Sequence, residues 1–147
     1  MSLSIETTGQ ASEHFTWHEL ILCPQWGREA TEKDGLNDEI LQELLETAKV
    51  MDTVRDYFNA SINVHCCFRP ELYNQLVKGA RNSAHKFGMA IDFDVSGFSC
   101  KDAIQKILND GKLEEWNMRM ENNGSNPTWI HLDRREVLPG GHRYFIP

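Results

Sequence analysis

The sequence is short of basic charge: 15 Lys and Arg stand against 22 Asp and Glu, a net charge of −7. A sequence-independent grip on nucleic acid needs clustered cations to neutralise phosphates, and the nearest thing to a cluster, Lys78, Arg81 and Lys86, is thin. No nucleic-acid partner is expected. Any run approaching the ~18 apolar residues of a membrane helix is missing too, and Met1 to Gln10 is polar, without the apolar block of a secretory signal. No membrane partner is expected, and synthesis in the cytoplasm without a signal is the reading. The four cysteines, Cys23, Cys66, Cys67 and Cys100, form no CxxC pair, which argues against a zinc knuckle or a thioredoxin-type couple. They are expected as free, mostly buried thiols.

What is present suits one domain. A chain of 147 residues, 40% of them hydrophobic, can build a core without disulfide or metal staples. The reading is a single domain over 1–147, with 1–12 as a flexible tail. Leu36, Ile40, Leu41, Leu44, Leu45, Ala48, Met51, Val54 and Phe58 recur at helical spacing, which predicts an amphipathic helix over 36–58. Ile62, Val64, Cys66 and Phe68 alternate with Asn63, His65 and Cys67, the pattern of a strand buried on one face.

Pro70 opens a short helix to about Val77, and 78–86 reads as a loop. In the next strand Met89, Ile91, Phe93 and Val95 alternate with Ala90, Asp92 and Asp94. Ser99 caps a helix to about Asn109. Residues 114–120 fit a strand or a short helix, 129–133 a strand, and 144–146 a closing strand. The class is α+β: an antiparallel sheet with helices packed on it.

Chemistry concentrates in His85, Asp92 and His131. If the second and third strands are neighbours, two imidazoles and a carboxylate converge, a ligand set that leaves tetrahedral zinc a free fourth position. Spacing alone leaves a shared metal site and unrelated polar residues both open. Two imidazoles and a carboxylate also make the facial triad of non-haem iron oxygenases. There the first His and the carboxylate stand two apart, against seven here, and that reading is disfavoured.

The string Ser83-Ala84-His85-Lys86-Phe87-Gly88-Met89-Ala90-Ile91-Asp92, with Trp129-Ile130-His131-Leu132-Asp133 downstream, resembles the Ser-x-His-x-x-Gly-x-Ala-x-Asp signature of the zinc D-Ala-D-Ala carboxypeptidase family. That family includes vancomycin-resistance dipeptidases and phage endolysins and shares its fold with Hedgehog domains. Phe68-Arg69-Pro70 followed by Asn74, and the opening Phe15-Thr16-Trp17-His18-Glu19-Leu20, are similar to further stretches of it, so the resemblance covers about Phe15 to Arg134. It implies Zn²⁺ held by His85, Asp92 and His131. It also implies a pocket-facing Arg69, with Ser83 as a second substrate-binding residue, and hydrolysis of peptidoglycan stem peptides or other D-amino-acid peptides. Action at the cell wall after release, as in the phage branch, would follow. Arg69 has a physical case of its own, since a guanidinium reads a carboxylate through two parallel hydrogen bonds.

The resemblance fails at one place. Studied members carry an Asp or Glu three residues before the last ligand as proton acceptor, and here that residue is Thr128. Asp133, Glu121 and His142 are the candidates to replace it. Residues two apart on a strand lie ~6.6 Å apart, which suits Asp133 better to orienting His131. A domain that keeps the metal and the peptide recognition but not the catalysis is the alternative. His14, His18 and His65 sit in no spacing that closes a metal site, Asp94 reads as an edge carboxylate, and Trp129 is expected near substrate.

Overall fold

A computed structural model describes residues 3–147. Its first helix, α1 (Trp17–Ile21), starts in a capping box: the Thr16 hydroxyl accepts from the Glu19 backbone N–H, and the Glu19 carboxylate accepts from Thr16 N–H. A small hairpin follows, β1 (Leu22–Cys23) and β2 (Arg28–Glu29). The long helix α2 (Asp38–Phe58) begins two residues later than its apolar pattern, because Asn37 takes the capping position and accepts from Ile40 N–H at 2.8 Å. It ends at Asn59, whose φ of +48° lies in the left-handed region that terminates helices.

Next come β3 (Ile62–Cys66), α3 (Glu71–Leu76), a 3₁₀ turn at Ala84–Phe87 inside the expected loop, and β4 (Ala90–Val95). Ser99 caps α4 (Cys100–Asn109). The ambiguous stretch 114–120 resolves into both alternatives. A short helix, α5 (Lys112–Trp116), stops at left-handed Asn117, and β5 (Arg119–Glu121) starts two residues on. Strands β6 (Ile130–Asp133) and β7 (Tyr144–Phe145) complete the chain.

The main sheet runs β3-β4-β6-β5-β7. All pairs are antiparallel except β5 with β7: the chain loops out after β6 and returns along the far edge beside β5, so the closing strand makes the sheet mixed. Strand alternation divides the two faces. Ile91, Phe93 and Val95 of β4, with Ile130 and Leu132 of β6, join one core with Leu41, Leu44, Ala48, Met51 and Val54 of α2 and Ala103, Ile104 and Ile107 of α4. The opposite face presents Asp92, Asp94, His131 and Asp133.

β3 departs from its expected alternation. Val64 pairs with Phe93 on the core side, but a bulge at His65 puts Cys66 opposite Asp92 on the polar side, while Cys67 and Phe68 become buried. All four cysteines are free. Of the expected tail, residues 1 and 2 lie outside the described residues. Within 3–12, Ser4 hydrogen-bonds Asp38, Ser12 hydrogen-bonds Asp52, and Gln10 bridges to Thr16. Among the described residues no helix is long and apolar enough to cross a membrane.

One contact fixes the site to the scaffold. Buried Thr47 of α2 donates to the Gly88 carbonyl at 2.7 Å and accepts from Arg134 Nε at 3.2 Å, tying the loop before β4 and the residue after β6 to one helix turn. Gly88 has φ +75°, and a Cβ there would stand 3.0 Å from the Ile40 carbonyl and 3.1 Å from Leu44 Cγ. A side chain at this point would push the loop off α2.

Truncating fully buried Phe93 to Ala is expected to cost about 3–5 kcal/mol of folding free energy in denaturant titrations. Asn37→Ala, which removes only a cap, is expected to cost about 1 kcal/mol.

Candidate active site

The site is assembled by a turn and two paired strands. Ser83 opens the 3₁₀ turn, its hydroxyl accepting from His85 N–H at 3.2 Å, and Gly88 closes it. The His85 ring is 1% exposed, and its Nδ1–H donates to the Cys67 carbonyl at 2.7 Å. That bond fixes the tautomer and leaves the lone pair on Nε2. Nε2 is buried without a hydrogen-bond partner, 3.1 Å from Asp92 Oδ1. A lone pair facing a carboxylate is repulsive and costly to bury unless a proton or a cation lies between them.

Register supplies the rest. Asp92 stands opposite His131 across β4 and β6, and His131 Nδ1 lies 2.9 Å from Asp92 Oδ1. On the other side of the ring, His131 Nε2–H donates to Asp133 Oδ2 at 2.9 Å, and Arg119 grips both Asp133 oxygens at 2.8 and 2.9 Å. Potential ligand atoms of His85, Asp92 and His131 all lie within 4.8 Å of one another. Zinc bonds of about 2.0–2.1 Å in a tetrahedron separate ligand atoms by about 3.3 Å. The 2.9 and 3.1 Å seen need open only by a few tenths, so the donor set fits zinc.

The electrostatics match. Burial raises the Asp92 carboxyl, but His85 and His131 outweigh it and hold it well below the usual carboxylate range. Burial likewise disfavours charged His131, yet its bonds to Asp133 and Asp92 bring it up to about 9. Asp133, opposed by burial and held by His131 and Arg119, falls to about 2. Without metal, His131 therefore carries both ring protons at neutral pH, and a cation must displace the one on Nδ1.

His85, Asp92 and His131 line a cleft of about 620 Å³ together with Arg69, Ser83, Glu121 and Trp129. Arg69 donates from Nη1 to Asn74 Oδ1 at 3.2 Å, reaches to 3.8 Å from Asp92 with Nη2, and keeps a buried, unpartnered Nε. Asn74 is itself buried and donates to the Ala80 carbonyl at 2.9 Å, so it fixes both the guanidinium and the loop beside it. Gly79 is required there: a Cβ would stand 2.0 Å from Asn74 Oδ1 and 2.4 Å from Arg69 Nη1.

The three candidates for proton transfer separate. Glu121 lines the cleft. Asp133 has both oxygens committed to Arg119 and His131, the position of a residue that orients His131. His142 lines other hollows with Val137 and Gly141, outside the cleft, because the loop after β6 carries it away. Thr128 is exposed and does not line the cleft. Sequence reasoning missed Cys66 as a lining residue, since the bulge that brings it to the polar face has no Gly or Pro to announce it. His65, which alternation places on that face with Asn63, was given no role there. Gly79 was missed as well, standing in an unremarkable loop.

The charge on His131 yields a pH prediction. Its folded value is raised, so its contribution to stability is complete below the ordinary histidine value near 6.5 and is lost as pH rises through about 9. The melting temperature of metal-free protein is expected to fall between pH 6.5 and 9.5. Saturating zinc is expected to flatten that slope, and zinc affinity to rise over the same interval as a proton is released. Thermal unfolding with and without zinc checks both.

No curated protein and no solved structure matches the chain. A family model described as Peptidase M15 matches residues 13–133, a span that holds His85, Asp92, His131, Arg69 and Glu121. A cleft whose floor is a zinc-compatible His-Asp-His group is what such a metallopeptidase requires, and the chain belongs to the peptidase M15 family.

Proposed function

We propose that the protein hydrolyses peptide bonds in peptidoglycan stem peptides or similar D-amino-acid peptides, with zinc held by His85 Nε2, Asp92 and His131 Nδ1. The observation that carries this is the buried, unpartnered Nε2 of His85, aimed at Asp92 on the floor of a cleft lined by a clamped arginine. Zinc bound there supplies Lewis acidity to polarise a carbonyl and to ease deprotonation of water.

The chain's own residues do the rest. Asp133 and the Cys67 carbonyl fix the two imidazoles in the tautomers that present the ligating nitrogens. Arg69, held by Asn74 through Nη1, offers Nη2 to a substrate carboxylate or to the charge developing on the attacked carbonyl oxygen. Ser83 lines the same wall and can donate to that carboxylate. Glu121 takes the proton from the attacking water and passes it to the departing amine. It is the one of the three candidate acceptors that faces the cleft with its carboxylate uncommitted among the hydrogen bonds described. Trp129 forms an apolar wall. Release from the cytoplasm to the cell wall, in the manner of phage endolysins, is the setting this reading implies.

Thr128 favours a second reading, a domain that binds the metal and the peptide without cleaving it. Activity decides between them. Zinc-loaded protein is expected to cleave muropeptides or D-Ala-D-Ala-terminated peptides, chelation to abolish cleavage, and Glu121→Gln to lower kcat about 10²- to 10⁴-fold with little change in KM. Binding of these peptides with no turnover selects the silent domain, and wild-type kcat in Glu121→Gln removes Glu121 from the mechanism.

A further inference from the structure

The cleft wall that carries Arg69 extends past it to the end of α3, which closes in a Schellman motif. Gly79 N–H returns to the Asn74 carbonyl at 2.8 Å, and Lys78 N–H to the Gln75 carbonyl at 3.1 Å. This motif needs a left-handed residue just past the helix, a place glycine usually fills, and here Lys78 fills it with φ +57°. A lysine kept in a conformation that glycine adopts freely is poorly explained by the fold, and such strain gathers where a ligand is held. Lys78 is exposed, lines the cleft, and its ammonium enters no ion pair or hydrogen bond among the described residues. Lys86, by contrast, is paired with Glu71.

A second observation comes from Tyr73 on the same helix. It is 3% exposed, and its hydroxyl accepts from Gln25 N–H at 3.0 Å, which pins the turn of the β1–β2 hairpin to α3 with Trp26 edge-on at 5.0 Å. Accepting that bond leaves the hydroxyl's own proton, which meets no acceptor among the described residues. Burial pushes the hydroxyl above its usual value, so the proton stays on it, and the charge of Arg69 is close enough to act against that rise. A buried donor with nothing to donate to is costly unless a ligand brings the acceptor. Tyr73, Gln25 and Lys78 all line the cleft, the Gln25 side-chain amide takes no hydrogen bond among those described, and Gly79 joins Lys78 to the Arg69 guanidinium it packs on. This flank therefore gathers a buried O–H, an amide and a free ammonium beside Arg69, whereas Glu121 lines the cleft from β5, two strands beyond β4.

We propose that Lys78, Tyr73 and Gln25 form a second carboxylate site beside Arg69, so that the substrate residue on the departing side of the scissile bond is a dicarboxylic one. This deepens the peptidase reading and rests on it. Arg69 takes the α-carboxylate, and Lys78 with the Tyr73 hydroxyl takes the side-chain carboxylate of a glutamate-type terminal residue. A terminal alanine would leave both donors unanswered. The charge of Lys78, delivered at the cleft wall, is what a glycine at the same turn would lack.

The test uses acetyl dipeptides that begin with L-Ala or D-Ala and end in D-Glu, its α-amide, its side-chain amide or D-Ala. Affinities for zinc-loaded protein are read by rapid-mixing tryptophan fluorescence, and cleavage is followed separately. The diacid is expected to bind about tenfold tighter than its side-chain amide, which has the same shape and one charge fewer. In Lys78→Gly that preference is expected to fall toward one while the preference over the α-amide, set by Arg69, persists. The variant is expected to melt no lower than wild type, because glycine suits φ +57°, so the loss is one of recognition and not of folding. Tyr73→Phe is expected to lessen the same preference. Equal affinity of wild type for the diacid and its side-chain amide, an undiminished preference in either variant, or loss of both preferences together in Lys78→Gly overturns the subsite, and if cleavage persists the peptidase reading survives. Failure of every peptide to bind or be cleaved overturns both.

Discussion

The arrangement depends on the register between β4 and β6. Because Asp92 stands opposite His131 and Ala90 opposite Asp133, one pleated face carries a histidine flanked by two carboxylates while the other carries Ile91, Phe93, Ile130 and Leu132 into the core. A slip of one residue would move the charges into the core and the apolar side chains into the cleft, a change no other contact could offset. The apolar packing that holds the sheet on α2 is therefore also what holds the site together. Thr47 extends the same control to the loop bearing His85 through its bond to Gly88.

On this frame the electrostatics are arranged for a cation. His131 sits between Asp92 and Asp133, and Arg119 balances Asp133 from the far side, so the outer carboxylate is neutralised by protein while the inner one faces His85. Replacing such a buried network with apolar residues of equal volume would in general be neutral or stabilising. Its presence is thus explained better by what it holds than by what it adds to the fold. In the metal-free state a proton on His131 Nδ1 occupies part of the cation's place, which couples folding, pH and metal affinity at a single nitrogen.

The long helix, the paired strands and the three converging side chains were legible because each rests on a strong periodicity or on a signature with fixed spacing. The helix start missed by two residues, as apolar spacing says nothing about where Asn37 caps. The hairpin Leu22–Cys23/Arg28–Glu29 is too short to leave a pattern, and α1 announces itself only through its Thr16–Glu19 box. What the sequence hides is tertiary: the bulge that sends Cys66 to the cleft, the parallel return of Tyr144–Phe145, and the atomic crowding at Gly79. The choice among Asp133, Glu121 and His142 was hidden for the same reason. It turns on whether a carboxylate is already held by Arg119 and on where a long loop carries an imidazole.

The central claim is that one divalent ion is gripped by His85, Asp92 and His131. A crystal structure of zinc-loaded protein with anomalous scattering at the zinc edge tests it most directly. The account predicts one ion about 2.0–2.1 Å from His85 Nε2 and His131 Nδ1, with an Asp92 oxygen as third ligand and an open position facing the cleft. Zinc found instead on the Glu13, His14 and Asp56 group, or ligated through the other nitrogen of either imidazole, would contradict it.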